Sequence, residues 1–149
     1  MQFIDLKKQQ HHIKNKIKNR IQNVLDHGKY IMGPEVYELE QKLASFANRK
    51  HCISCSSGTD ALLIPLMALN IGPGDAVLTT TFSYIATSEV IRLLGATPIF
   101  IDIYEKTFNM NPALIKNGVK LAAENNLTPK ALITVDLFGL PARYRLIKK

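Results

Sequence analysis

In the run Ser56-Ser57-Gly58-Thr59-Asp60, hydroxyls and a glycine stand directly before an apolar stretch. Gly58 permits close backbone approach and dihedrals that side chains resist. The amides of Thr59 and Asp60 then open a helix, and a helix N-terminus attracts a phosphate. The hydroxyls of Ser57 and Thr59 can add donors. The same pentapeptide would also serve as an ordinary capped helix start, since Ser and Thr commonly cap helices. Taken alone, it reads better as that plainer feature. It is not a Walker A loop, because no Gly-Lys-Ser/Thr follows, and it is not a GxGxxG fingerprint.

A second segment, Thr79-Thr80-Thr81-Phe82-Ser83-Tyr84-Ile85-Ala86-Thr87, follows the next strand pattern and opens the next helix. Adjacent strand ends in a parallel sheet face one crevice, where ligands bind. Tyr84 at that place could stack on a flat cofactor ring. Phe82 reads better as a core or interface residue.

The remaining reactive types carry less. Cys52 and Cys55 form a CxxC, but strand residues three apart point to opposite faces, so buried strand cysteines are expected rather than a metal or redox pair. No second CxxC completes a zinc site, and no metal site is expected. His11, His12, His27 and His51 read as structural or solvated. Asp75 follows Gly-Pro-Gly as a turn residue, Asp102 ends a strand, and Asp136 reads as structural.

The elements that must position these residues follow from periodicity. Ile13, Ile17, Ile21, Val24 and Leu25 share one face of a helix from about Lys7 to Asp26, stopped at His27-Gly28. A second helix starts at Pro34, where a missing N–H is harmless. Its apolar stripe is Val36, Leu39, Leu43 and Phe46. Strands are expected at His51–Cys55, Ala76–Thr79, Thr97–Asp102 and Lys130–Val135. Helices are expected at Asp60–Leu69, Ser83–Leu94 and Pro112–Glu124. Pro65 should kink or shorten the first of these, and Gly118 should interrupt the last. Short buried strands alternating with helices imply parallel pairing. The fold class is α/β, with a helical N-terminal extension over residues 1–50 and an α/β region over 51–149.

Length and composition fit this frame. The 149 residues are 46% hydrophobic and 21% charged, which is globular rather than disordered composition. No apolar run reaches the ~18 residues needed to cross a bilayer, and no secretory leader is visible. Two cysteines exclude a disulfide scaffold. The expected compartment is the cytoplasm. The net charge of +7 is carried mainly by lysines near both ends. They read as solvated helix faces, and no nucleic-acid partner is expected.

The segments SSGTDALLIPLMAL, GPGDAVLTTTFSYIATSEVIRLLGATPIFIDI and DLFGLPA occur in order. With FIDLKKQQ and VLDHGKYIMGPEVYELEQKLASF, they resemble the N-terminal part of the DegT/DnrJ/EryC1/StrS sugar aminotransferases, from Phe3 to about Ala142. ISCxSGTDAL with TFSYIAT is most similar to the branch that aminates a UDP-linked 3-keto sugar acid.

The resemblance implies the large domain of fold-type-I pyridoxal 5'-phosphate enzymes, with a mainly parallel sheet and flanking helices. It implies transfer of a glutamate-derived amino group to a nucleotide-linked keto sugar, in surface polysaccharide or O-antigen synthesis. Ser57, Gly58, Thr59 and Asp60 would hold the cofactor phosphate, and Tyr84 would stack on its ring. Met32 and Gly33, in the loop from Tyr30, would lie near substrate. A homodimer is implied, with the nucleotide sugar and an amino-acid donor as ligands.

The family's Schiff-base lysine and its pyridinium-pairing aspartate, in a Glu-Asp-x-Ala-Gln segment, are not among these residues. Lys148 and Lys149 have no motif around them. Arg143 and Arg145 replace positions that are commonly acidic, which puts a last helix in question. The chain is therefore expected to be a fragment without turnover of its own, and one that self-associates. Two alternatives stay open: a sugar dehydratase of the same family, and a nonenzymatic module using the basic N-terminal helix against a membrane or RNA.

Overall fold

The computed structural model describes residues 3–148, which divide into two compact units between Ser54 and Cys55.

The first unit is helical. Helix α1 spans Leu6–His27 and α2 spans Pro34–Phe46. Asp5 caps α1 by accepting the Lys8 amide at 3.0 Å, and Gly28 ends it at φ +66°. Pro34 occupies the first turn of α2. No residue of α1 is buried, and Ile13, Ile17, Ile21 and Leu25 stay exposed. The stripe of α2 is equally open at Leu39, Leu43 and Phe46.

The strand expected at His51–Cys55 does not form. A strand needs a neighbour to take its amides and carbonyls. Here the Ser54 amide and hydroxyl both donate to Glu40 Oε1 at 2.8 Å. Those bonds, the amide first, hold the Glu40 carboxyl below the usual carboxylate range. The cysteines are correspondingly not buried: Cys55 is exposed and Cys52 half-buried, and both are free thiols.

The second unit is a three-stranded parallel sheet with helices on both faces. Helix α3 (Gly58–Ala68) precedes β1 (Asp75–Thr80), and α4 (Ala86–Leu93) follows it. Then come β2 (Thr97–Ile101), a 3-10 turn at Pro112–Leu114, α5 (Ile115–Glu124), β3 (Thr128–Leu132), a turn at Leu137–Gly139 and α6 (Tyr144–Ile147). The order is β2-β1-β3, both pairs parallel, and all six residues of β1 are buried. Central strands of parallel sheets are covered on both faces.

One face packs Val77 with Leu66, Val90 and Ile91 from α3 and α4. The other packs Ala76, Leu78, Ile99 and Ile101 with Ala122 of α5. Helix α3 runs through Pro65 to Ala68, so the proline does not end it. Helix α5 is unbroken at Gly118. A Cβ there would lie 2.2 Å from Ile101 Cδ1, so the glycine lets the helix approach the sheet rather than interrupting it. Helix α4 begins at Ala86, three residues later than the sequence suggests, and leaves Ser83–Ile85 as a turn.

Candidate functional site

Helix α3 runs back along the sheet into β1, and α4 leaves from the end of β1. Both helices therefore start at the C-terminal edge of the strands, where open parallel sheets bind ligands.

At the start of α3, Ser57 is extended (φ −156°) and caps the helix by accepting the Asp60 amide at 3.1 Å. Its hydroxyl donates to Asp60 Oδ2 at 2.9 Å, and the Ser56 hydroxyl donates to the same oxygen. These bonds, Ser56 first, hold the Asp60 carboxyl below its ordinary range. The Asp60 amide and the Ser57 hydroxyl, expected as phosphate donors, are thus engaged with each other. The plain cap and the proposed cradle share the same atoms.

The amides of Gly58 and Thr59 meet no acceptor among the described residues, as expected for first-turn groups. A Cβ built on Gly58 would have none of the described residues within 4 Å. Two free amides beside open space at a helix N-terminus fit a phosphate ester, with the exposed Thr59 hydroxyl beside them. The residues present therefore suit the phosphate end of pyridoxal phosphate.

Tyr84 lies in the linker from β1 to α4, with 78% of its surface exposed. Its carbonyl accepts the Thr87 amide at 3.1 Å, and the Ser83 and Thr87 hydroxyls meet at 2.8 Å. The linker is thereby tied to the first turn of α4. Phe82 is not a core residue. It is exposed on one side and meets the rings of Phe108 and Phe138. Asp136 is structural: its Oδ1 accepts the Ala142 amide and the Tyr144 hydroxyl, each at 2.8 Å.

Met32 and Gly33 belong to the first unit, in the turn between α1 and α2. Met32 is left-handed at φ +48°, and a Cβ on Gly33 would strike the Lys29 carbonyl at 2.3 Å. His27 braces this turn. Its Nδ1 accepts the Lys29 amide at 3.0 Å, so Nε2 carries the proton that it donates to Glu35, 3.2 Å from both oxygens. Glu35 is held below the usual carboxylate range by its own backbone amide first and His27 second. Of the two readings the sequence left for His27, structural or solvated, these bonds favour the structural one. Asn109, buried among the loops, was equally silent: nothing in its neighbourhood marks it.

The chain belongs to the DegT/DnrJ/EryC1/StrS aminotransferase family, whose pattern matches residues 11–149. The match continues past Ala142, through the segment containing Arg143 and Arg145. The chain is 51% identical over 149 residues to the UDP-2-acetamido-2-deoxy-3-oxo-D-glucuronate aminotransferase of Pseudomonas aeruginosa, covering 99% of this chain and 39% of that protein. It also superposes on a crystal structure of a DegT DnrJ EryC1 StrS aminotransferase from Brucella abortus. There the TM-score is 0.94 at 45% identity, over 99% of this chain and 40% of that one. A structure of NtdA from Bacillus subtilis with bound cofactor PMP matches with a TM-score of 0.78 at 32% identity, over 90% of this chain and 29% of that one. The chain thus spans about 39% of the length of its P. aeruginosa relative. The α/β class expected from alternation, and the fold-type-I architecture implied by the resemblance, both hold.

Proposed function

We propose that the chain is the N-terminal portion of a pyridoxal-phosphate-dependent aminotransferase, acting on a UDP-linked 3-keto sugar acid with glutamate as amino donor. The observation that carries this reading is the 51% identity to an aminotransferase of that substrate name. The free amides of Gly58 and Thr59 at the start of α3, and the exposed Tyr84 in the linker after β1, support it. The product would serve surface polysaccharide synthesis, in the cytoplasm, from a homodimer. No described helix is long and apolar enough to cross a membrane.

In this reading each residue has a positional role. Gly58 and Thr59 donate to the phosphate and anchor one end of the cofactor. Thr59 adds its hydroxyl, and Ser57 and Asp60 hold the helix start in shape. Tyr84 lies against the ring and restricts its tilt. Met32 and Gly33 shape a substrate wall. When bound, the cofactor supplies an electron sink for amino transfer. The lysine that would hold it covalently is not among the 149 residues, so this polypeptide by itself is expected to give no turnover.

The test uses the native polypeptide carrying this sequence, purified from its own cells. Glutamate-dependent amination of a UDP-3-keto sugar acid, with 2-oxoglutarate released in equal amount, is the expected result. Loss of water from the sugar without nitrogen transfer would replace the reading with a dehydratase. Turnover by the 149-residue chain alone would overturn the division of labour described here. A monomer across a wide concentration range in analytical ultracentrifugation of the native polypeptide would overturn the dimer.

A further inference from the structure

Two aromatic residues of the second unit hold left-handed backbone: Phe108 at φ +58° and Phe138 at φ +53°. A bulky side chain is strained there, and such strain persists only where the surroundings impose it. Phe138 is 84% exposed, so burial of its ring does not account for it. Both rings instead meet Phe82. The Phe82–Phe108 centroids lie 5.4 Å apart at 32°, and Phe82–Phe138 lie 6.5 Å apart, edge-on at 72°. Aromatic pairs attract at these separations. Phe82 stands two residues before Tyr84 in the same linker.

Asn109 fixes the conformation of Phe138. Its Nδ2 donates to the Leu140 carbonyl at 2.8 Å, and its Oδ1 accepts the Leu137 amide at 3.0 Å. The carboxamide therefore grips both ends of the turn that contains Phe138. Asn109 is only 4% exposed, and its carbonyl accepts the Tyr104 amide at 2.8 Å. It is also the residue after Phe108, so one buried side chain ties the backbones of both flanking rings together. The loops involved follow β1, β2 and β3, and all leave the C-terminal edge of the sheet.

We propose that Asn109 and Phe138 are positioning residues for Tyr84: the clamped turn presses Phe138 against Phe82, and Phe82 sets the linker that presents the Tyr84 ring. The role rests on the reading that Tyr84 meets the cofactor ring. The Tyr84 side chain is 78% exposed and makes no hydrogen bond among the described residues, so the linker is the main restraint on where its ring can reach. Preorganising a contact in this way lowers the ordering cost of binding.

Hydrogen exchange on the cofactor-free native polypeptide tests the coupling. The reporters are the amides of Phe82, Thr87 and Ser88, whose acceptors are Thr80 Oγ1 and the Tyr84 and Ile85 carbonyls. Phe138→Gly removes the ring and relieves the left-handed strain, which offsets the lost aromatic contact and the entropy glycine adds to the unfolded chain, so the melting temperature stays close to the original. Exchange at the reporters nonetheless accelerates about tenfold, while β1 amides keep their rates. Phe138→Tyr restores the original rates, and Asn109→Ala accelerates the reporters together with Leu140. Unchanged reporters in Phe138→Gly would overturn the proposal, as would acceleration spread equally over β1. Reporters that already exchange at unstructured rates in the unmodified chain would overturn it too.

A titration with pyridoxal phosphate separates the two layers of the argument. If Tyr84→Ala weakens binding, Phe138→Gly must weaken it as well, and an unaffected Phe138→Gly sinks the positioning role. If Tyr84→Ala changes nothing, the stacking reading falls first and takes the role with it, whatever the exchange rates show.

Discussion

Lys130 reaches the Asp75 carboxylate at 2.9 Å because β3 carries one residue too many. Ala76 pairs with Pro129 and Val77 pairs with Ala131, so Lys130 bulges out of the ladder. Its ammonium meets Asp75 Oδ2, the oxygen that also accepts the Gly72 amide at 2.9 Å. Asp75 thus joins its own turn to the neighbouring strand at the N-terminal end of β1, opposite the edge that carries the candidate site.

A pH dependence follows from that junction. Lys130 first, and the Gly72 amide second, hold the Asp75 carboxyl below its ordinary range. A depressed carboxylate contributes stability that is fully present above the unfolded value of about 3.9 and is lost as pH falls through the lower folded value. Urea melts are expected to give a constant Asp75 contribution at neutral pH and a declining one below about pH 4. Asp75→Asn should flatten part of that decline. Asp60, lowered by Ser56 and Ser57, supplies another part in the same direction and remains in the variant. Identical acid limbs in the two proteins would remove Asp75 from the account.

Gly118 gives a packing prediction. An alanine there gains helix propensity of about 1 kcal/mol. Its Cβ would also sit 2.2 Å from Ile101 Cδ1 and 3.2 Å from Leu78 Cδ2, both side chains buried in the sheet. Overpacking a filled core costs about 1–3 kcal/mol, so Gly118→Ala is expected to destabilise on balance. A higher urea midpoint would mean that Ile101 repacks freely.

These two positions show how far the sequence carries. The stop at Gly28 and the start at Pro34 were legible because they are local, acting within a turn of themselves, whereas the Asp5 cap of α1 was not read. Strand β1 was legible from Ala76-Val77-Leu78 after a Gly-Pro-Gly turn, but its buried Asp75, Thr79 and Thr80 gave no sign that both faces are covered. Gly118 was misread as an interruption, since periodicity gives a helix's face but not what that face meets. The strand expected at His51–Cys55 failed for lack of a neighbour to pair with. The Ser57–Asp60 segment was legible as a capped helix start, but which of its amides stay free depended on Ser57 turning back on Asp60. Asn109 was invisible because its partners, Leu137 and Leu140, lie 28 and 31 residues away.

Thr79 tests the core of the site-bearing strand. It is fully buried in β1, and its Oγ1 has no hydrogen-bond partner among the described residues. An unpaired buried hydroxyl costs about 1–3 kcal/mol, and replacing it with a methyl of the same shape removes that cost. Thr79→Val is therefore expected to raise the urea midpoint by an amount equivalent to about 1 kcal/mol. A loss of stability would show that the hydroxyl is satisfied in solution by a bound water.

The phosphate site separates binding from folding at Gly58. The residue occupies the first position of α3, where proline is favoured and its missing N–H breaks no helix bond. Ser57 before it is already extended at φ −156°, ψ 166°, the region that a following proline requires. Among the described residues no neighbour lies within 4 Å of its Cβ position. Gly58→Pro should thus leave the fold intact and stabilise it by about 0.4–1 kcal/mol through the unfolded chain. The same change deletes one of the two free amides and fills the open space beside them. A hydrogen bond to a charged group contributes about 1.5–3 kcal/mol, so pyridoxal phosphate should bind the variant at least tenfold more weakly. Pyridoxal, which lacks the phosphate, should bind both forms alike. Equal phosphate affinity in a stably folded Gly58→Pro variant would mean that the start of α3 is a capped helix and nothing more.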